Sequence, residues 1–322
     1  MLVSPDALWV LLVALVLDAL IGDPDILWRR WPHPVVWLGG LIGWGDRHLN
    51  REAWSGGARR AAGVAWIALV VALTLLVGWL LERGLRALPL GPLWLALAAS
   101  VLIAQNSLYR HVARVRDAFG ESVEAARGAV SMIVGRETAR LDEAGISRAA
   151  IESTAENFSD GIVAPAFWFA LGGLPGLLAY KAVNTADSMI GHLSERHRDF
   201  GWAAARLDDL LNLAPARLSA LLVALAAPAA GGSIPKALAA AWRDAGTHLS
   251  PNAGWPEAAM AGALGIALGG PRLYAAGPVE APYLNAEGRR DAGRGDIGRG
   301  LRVYLGACVI QAAVVAALGL AL

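Results

Sequence analysis

The chain reads as all-α: a polytopic integral membrane helical bundle with a re-entrant hairpin and a cytoplasmic helical segment. Three observations predict it. Of 322 residues, 56% are hydrophobic and only 17% charged, with a mean hydropathy of +0.47, whereas about a quarter of a soluble domain is charged. Several apolar runs approach the roughly 20 residues needed to cross a hydrocarbon core of about 30 Å. Lys and Arg fall between those runs in the pattern that keeps basic loops inside the cell. The whole chain, residues 1–322, is read as one polytopic domain with a cytoplasmic helical insertion at about 105–160.

The first run, Ala7 to Ile21, has neither a basic leader nor a small-residue cleavage site and reads as an uncleaved span. Ala61 to Leu81, Leu93 to Ile103, Leu213 to Ala230 and Val303 to Leu322 follow, and Ala258 to Gly270 is counted as a further crossing. Six spans then leave both termini outside. Trp9, Trp66, Trp79 and Trp94, at the ends of apolar runs, fit interfacial aromatic belts. The first inner loop holds Arg29, Arg30, Arg47, Arg51, Arg59 and Arg60, and the segment Gln105 to Asp160 is also rich in arginine. In that segment Leu108, Val112 and Val115, then Val123, Ala126, Val130 and Ile133, recur at helical spacing.

If Ile162 to Tyr180 crossed, the basic groups Lys181, Arg196, Arg198 and Arg206 would lie outside. Pro165, Gly172, Gly173, Pro175 and Gly176 divide this run into two arms. At about 1.5 Å per residue each arm covers only half the bilayer, which predicts a hairpin that enters and returns. A kinked ordinary span is the alternative. Irregular backbone at such depth is stable only inside protein or beside water, so the hairpin marks a site.

A net charge of +1 and a pI near 8.0 give no global field for nucleic acid. The single cysteine, Cys308, excludes an internal disulfide and a thiolate metal cluster. No repeat suggests a duplicated transporter core.

Four polar motifs interrupt the apolar background. In "ESTAENFSDG", Glu152, Glu156 and Asp160 recur at four-residue spacing on one helical face, with Ser153 and Asn157 alongside. Their mutual repulsion beside a low-dielectric membrane is relieved by a cation, and hard oxygen ligands suit Mg²⁺; a solvated acidic face is the plainer reading. "YKAVNTADSMIGH" supplies Lys181, Asn184, Thr185, Asp187, Ser188 and His192, the chemistry of a phosphate site with a metal ligand. "LDALIGDPD" places Asp18 inside an apolar span, where a carboxylate must face protein or water, and adds Asp23; His33 follows between two prolines as a hydrogen-bonding histidine. "EGRRDAGRGDIGRG" carries Arg299 in a glycine-rich loop without the Lys-Ser/Thr pair of a P-loop, and basic topology anchoring is its simpler reading.

At "ESTAENFSDGIVAPAFW" and "YKAVNTADSMIGH", with support from "LDALIGDPD", "WPHPVVWLGGLI" and "DIGRGLRVY", the chain resembles the membrane-bound cobalamin-biosynthesis proteins of the CobD/CbiB family, adenosylcobinamide-phosphate synthases. The likeness runs across nearly the whole chain. It implies an ATP-dependent amide ligation of adenosylcobyric acid with (R)-1-aminopropan-2-yl phosphate, or aminopropanol, in the bacterial inner membrane with the site facing the cytoplasm. Read onto the matching positions, Mg²⁺ is expected on Glu156, Asp160 and Asp187, with Glu152 as outer ligand or base. Lys181 and Arg299 are expected on phosphates, and Asn157, Asn184, Ser188 and His192 on substrate. Asp18, Asp23 and His33 are expected to line the cavity. Membrane lipid and other late enzymes of the pathway are the further partners in view. The rival readings are a non-catalytic membrane sensor of the AmpE type and a corrinoid-binding transporter.

Overall fold

A computed structural model describes residues 4–22, 28, 30–135, 137–274, 277–279 and 281–322. The chain divides into two compact units, residues 1–104, 164–212 and 315–322 in the first and 105–163 and 213–314 in the second.

In the first unit, helix α1 (Pro5–Leu20) starts where Ser4 accepts the Ala7 N–H at 3.1 Å and Pro5 occupies the first turn. Helix α2 (Pro34–Leu49) starts at His33. Helix α3 (Gly56–Arg86) runs 31 residues, about 46 Å and longer than a bilayer core. Its Ile67, Val70 and Gly78 are buried, whereas Leu69, Leu76, Trp79 and Leu80 are exposed. Apolar side chains on both faces mark a helix solvated by lipid on one side and by protein on the other. Helix α4 (Gly91–Ser100) packs on α1. The core joins Ile42, Trp66, Ile67 and Val70 to Ala182, Ala186 and Ile190. Trp66 therefore belongs to no aromatic belt: it is buried, close against Gly45, with its ring 5.3 Å from that of Trp44. Trp9, Trp79 and Trp94 are exposed as expected of interfacial anchors.

In the second unit, α5 (Gln105–Ala118), α6 (Val123–Ser131) and α7 (Glu143–Phe158) confirm the helical periodicity of this segment. A π-turn at Ser159–Val163 follows α7. Helix α8 (Ala164–Ile190) returns the chain to the first unit and leaves helical geometry at Gly173, with φ 60° and ψ −154°. Its two arms fold back on each other. A continuous helix would separate residues 168 and 176 by about 12 Å, yet a Cβ on Gly176 would stand 2.5 Å from the Trp168 carbonyl oxygen. Trp168 and Tyr180, one from each arm, reach the neighbouring residues Leu211 and Asn212 through hydrogen bonds of 3.1 and 3.0 Å. The tip is held by the Glu82 carboxylate, which accepts the Leu174 N–H at 2.9 Å. This is the hairpin that the Pro and Gly spacing predicts.

Helix α9 (Trp202–Leu211) belongs to the first unit, and α10 (Leu213–Ala226), a 3₁₀ turn (Ala227–Ala230), α11 (Ile234–Asp244) and α12 (Gly254–Leu264) belong to the second. Residues 258–270 are not a crossing. Helix α12 has 11 residues, about 16 Å, and Ala258 to Leu264 are buried on every side, against α11 and α10. Strand β1 (Leu268–Gly269) pairs antiparallel with β4 (Tyr283–Leu284), and β2 (Arg272–Tyr274) with β3 (Gly277–Val279). These short strands are absent from the sequence reading. Helix α13 (Arg294–Ala321) ends the chain. Among the described residues five helical stretches are long and apolar enough to cross a membrane: Gly56–Arg86, Gly91–Ala118, Glu143–Ile190, Leu213–Ala230 and Arg294–Ala321.

Candidate active site

The second arm of α8 carries Lys181, Asn184, Asp187 and Ser188. Thr185 and Ser188 donate their hydroxyl protons to the carbonyls of Lys181 and Asn184, at 2.6 and 2.9 Å, and so stay tied to their own helix. Asn184 reaches outward: its amide donates to Asp208 Oδ1 at 3.3 Å. Asn212 donates to Asp208 Oδ2 at 3.0 Å and accepts from the buried Tyr180 hydroxyl at 3.0 Å. Asp208, on α9, thus sits 8% exposed between two amide donors. Burial, and next the repulsion of the Asp187 carboxylate, push its carboxyl up to about 7, although Asn184 and Asn212 pull the other way. Past the end of the arm, a Cβ on Gly191 would collide with Asp187 Oδ1, so this glycine makes room for the carboxylate. His192 is exposed just beyond.

Neither Asp208 nor Asn212 is singled out by the sequence. The available signal is their four-residue spacing in "DDLLN", which sets both polar groups on one side of an otherwise apolar turn.

Asp18 is buried in α1, at 3% exposure. Asp23 lies outside the described residues. His33 works on backbone: Nδ1 accepts the Val35 N–H at 3.2 Å and Nε2 lies 3.0 Å from the Val101 carbonyl. An accepting Nδ1 leaves the ring proton on Nε2, so the ring caps α2 and ties it to the turn after α4.

In the second unit, the expected acidic stripe is divided. Glu152 is buried and accepts the Gly269 N–H at 2.8 Å. Glu156, one turn on, is exposed and lines a cavity of about 260 Å³ with His248, Ser250, Glu257, Gly269 and Leu284. Asp160 falls in the π-turn, where the wider winding breaks the four-residue register. Asn157 donates back to the Ser153 carbonyl and hydroxyl at 2.9 and 3.1 Å, and Ser153 donates to the Ile133 carbonyl at 2.8 Å.

Arg299 is a staple of this unit. Its guanidinium donates to the Leu264 carbonyl at 3.0 Å, to the Ala230 carbonyl at 3.4 Å and to Asp296 at 3.0 Å, closing the last turns of α12 and of the 3₁₀ segment. Its Nε and Nη1 donors are thus spent on its own fold. Arg299→Ala is expected to lower stability by about 2 kcal/mol through the orphaned carbonyls, read as a fall in Tm, and Arg299→Lys to recover only part of it.

Among the described residues no three His, Cys, Asp or Glu side chains gather as a metal site. Of the expected trio, Glu156 and Asp160 belong to the second unit and Asp187 to the first. Within the first unit Asp187 has Asp208 as a carboxylate neighbour. Two neighbouring carboxylates are hard oxygen donors of the kind that take Mg²⁺ when phosphate and water complete the shell, while the amides of Asn184 and Asn212 present N–H donors to Asp208.

Helices with lipid-facing apolar sides, a folded-back hairpin and charged groups held inside each unit define a polytopic helical membrane protein with internal polar sites. Residues 11–304 match the family described as CobD/Cbib protein, and the chain belongs to that family of cobalamin-biosynthesis proteins. It is similar to the cobalamin biosynthesis protein CobD of Sinorhizobium sp, 52% identical over 98% of this chain and 99% of the relative. The proteins of the same name from Brucella suis biovar 1 (52% identical, 92% of this chain and 91% of the relative) and Rhizobium meliloti (48%, 99% of each) are also similar. No solved structure matches.

Proposed function

We propose that the protein is an ATP-dependent amide ligase of cobalamin biosynthesis, joining a propionate of adenosylcobyric acid to the amine of (R)-1-aminopropan-2-yl phosphate at the cytoplasmic face of the inner membrane. The observation that carries this reading is the carboxylate pair Asp187 and Asp208, on and beside the helix that bears Lys181. Like charges held together in a partly buried setting call for a cation, and the flanking lysine and amides suit phosphate.

An unactivated carboxylate does not condense with an amine in water. A propionate oxygen attacks the γ-phosphorus of ATP, ADP departs, and an acyl phosphate results. The amine nitrogen then attacks the acyl carbon, phosphate leaves with the C–O electron pair, and the nitrogen's proton passes to that phosphate. Lys181 supplies a point charge for phosphoryl oxygens, and Asn184 and Asn212 fix the Asp208 carboxylate in place. Asp187 and Asp208 would hold Mg²⁺, which when bound neutralises phosphoryl charge.

The test is purified protein in detergent with adenosylcobyric acid, aminopropanol phosphate, ATP and Mg²⁺. The expected result is a corrinoid whose mass has risen by the amine less water, with one ADP per product. Asp187→Asn, folded and at normal level, should reduce turnover about 100-fold or more, the scale of a lost electrostatic group in a phosphoryl-transfer site. Folded wild-type protein that forms neither product nor ADP would overturn the proposal.

A further inference from the structure

We infer that the outer face of α11, with the loop after it, seats on the membrane surface: its apolar stripe enters the boundary between headgroups and acyl chains, and its basic rim meets lipid phosphates.

Helix α11 is built the wrong way round for water. Ala237, Ala240 and Ala241 are buried, and the approach to α12 is close: a Cβ on Gly262 would stand 2.6 Å from the Lys236 carbonyl oxygen and 2.8 Å from the Ala240 Cβ. The small residues thus face protein, and the bulky ones face out. Pro235, Leu238, Ala239 and Trp242 recur at the spacing of one helical stripe, and all four are exposed. Trp242 is 82% exposed, with only the edge of its ring against Trp255 at 5.9 Å. Leu249, in the loop beyond, is 81% exposed. Large apolar groups left uncovered together mark a docking surface rather than scatter.

Length and charge say what covers them. At 11 residues, about 16 Å, α11 reaches only half-way through a bilayer core. Lys236 and Arg243 stand on one flank of the stripe, seven positions apart. Arg217 lies 4.8 Å from the Trp255 ring and donates to neutral oxygens, those of the Leu213 carbonyl and the Asn252 side chain. Asp244, paired with Arg243 at 2.7 Å, and Glu287, whose charge also reaches Arg243, offset part of this and leave the rim net positive. A stripe of Trp and Leu beside basic groups is the composition of a helix that lies in an anionic interface. A second copy seated on the same face by two-fold symmetry would set two positive rims together, and lysine is depleted in protein–protein interfaces. At a lipid surface the Lys236 stem lies along the apolar boundary and its ammonium reaches phosphate.

The test is spin-label depth in the full-length protein, reconstituted in bilayers of phosphatidylcholine and phosphatidylglycerol, with Trp242→Cys or Leu249→Cys labelled in a Cys308→Ala background. Each label is expected to collide more with oxygen than with a nickel chelate, at a depth of about 5–10 Å. Lys236→Glu should shift the label at position 242 toward the nickel chelate, and more so with phosphatidylglycerol than without it. Loss of brominated-lipid quenching in Trp242→Phe gives the same reading from the native side chain, independently of the label. Labels open to the nickel chelate would place the face in water, and labels shielded from both reagents would place it under a protein or a second copy; either result overturns the inference. So would a depth well beyond about 10 Å, which belongs to a helix immersed in the core, or a label indifferent to Lys236→Glu.

Discussion

Gly173→Val is expected to leave almost no folded protein in the membrane fraction. Gly173 has φ 60° and ψ −154°, a region that is essentially glycine's alone, where a side chain costs on the order of 1–3 kcal/mol. A Cβ there would also collide with Glu82 Oε2. That oxygen holds the Leu174 N–H at 2.9 Å, and a partly buried amide that loses its acceptor costs roughly another 1–3 kcal/mol. The two terms together, roughly 2–6 kcal/mol, reach the lower end of the whole stability of a typical domain, about 5–15 kcal/mol. The measurement is the monodisperse fraction after detergent extraction, with Tm followed by tryptophan fluorescence. Gly172→Ala is the control: a Cβ there meets nothing within 4 Å, and Tm should hold or rise slightly. If both variants extract and melt alike, α8 does not turn at Gly173.

The hairpin was legible because Pro and Gly interrupt the run and because a crossing would have put four basic groups on the wrong side. The misread Ala258 to Gly270 shows the limit of the same logic. A helix apolar all round is buried, but the pattern does not say whether lipid or protein surrounds it, and only its length of 11 residues separates the cases. Trp66 fails for the same reason, since an indole near a run's end suits both a belt and a core. The acidic stripe was legible as spacing and misleading as environment. Pro165 lacks an N–H for the turn before it, the winding widens at Ser159–Val163, and Asp160 leaves the register of Glu152 and Glu156. Asp208 was not legible at all. It stands beside Asp209 in the sequence, and only packing buries the one at 8% exposure while leaving the other partly solvated. Its partner Asn184 comes from an element 24 positions earlier, and Tyr180 of the same element holds its other partner Asn212 from 32 positions away, which no local pattern reports.

Asp208→Asn is expected to make the protein more stable above pH 7 and nearly inactive. The Asp208 carboxyl titrates near 7 in the folded protein against a reference of 3.8. Between these values the native state binds the proton that the unfolded chain has released, so stability falls as pH rises toward 7 and stays reduced above it. A shift of this size corresponds to at most about 4 kcal/mol. Asparagine removes the ionisation and keeps the shape. Its oxygen can accept from Asn212, which Tyr180 holds in its present orientation, and its amide can donate to Asn184 after that side chain flips. In metal-free buffer, wild-type Tm should drop from pH 6 to pH 8.5, by the equivalent of roughly 1–1.5 kcal/mol for this group, while the variant's change should be smaller by that amount. Added Mg²⁺ should raise the wild-type Tm at pH 8.5, because an ion that binds only the folded state stabilises it by mass action, and should do little for the variant. Turnover should fall about 100-fold or more. A variant that melts below wild type at pH 8.5, or a wild type indifferent to Mg²⁺, would mean that Asp208 is a buried structural acid and that its repulsion from Asp187 is not relieved by a cation.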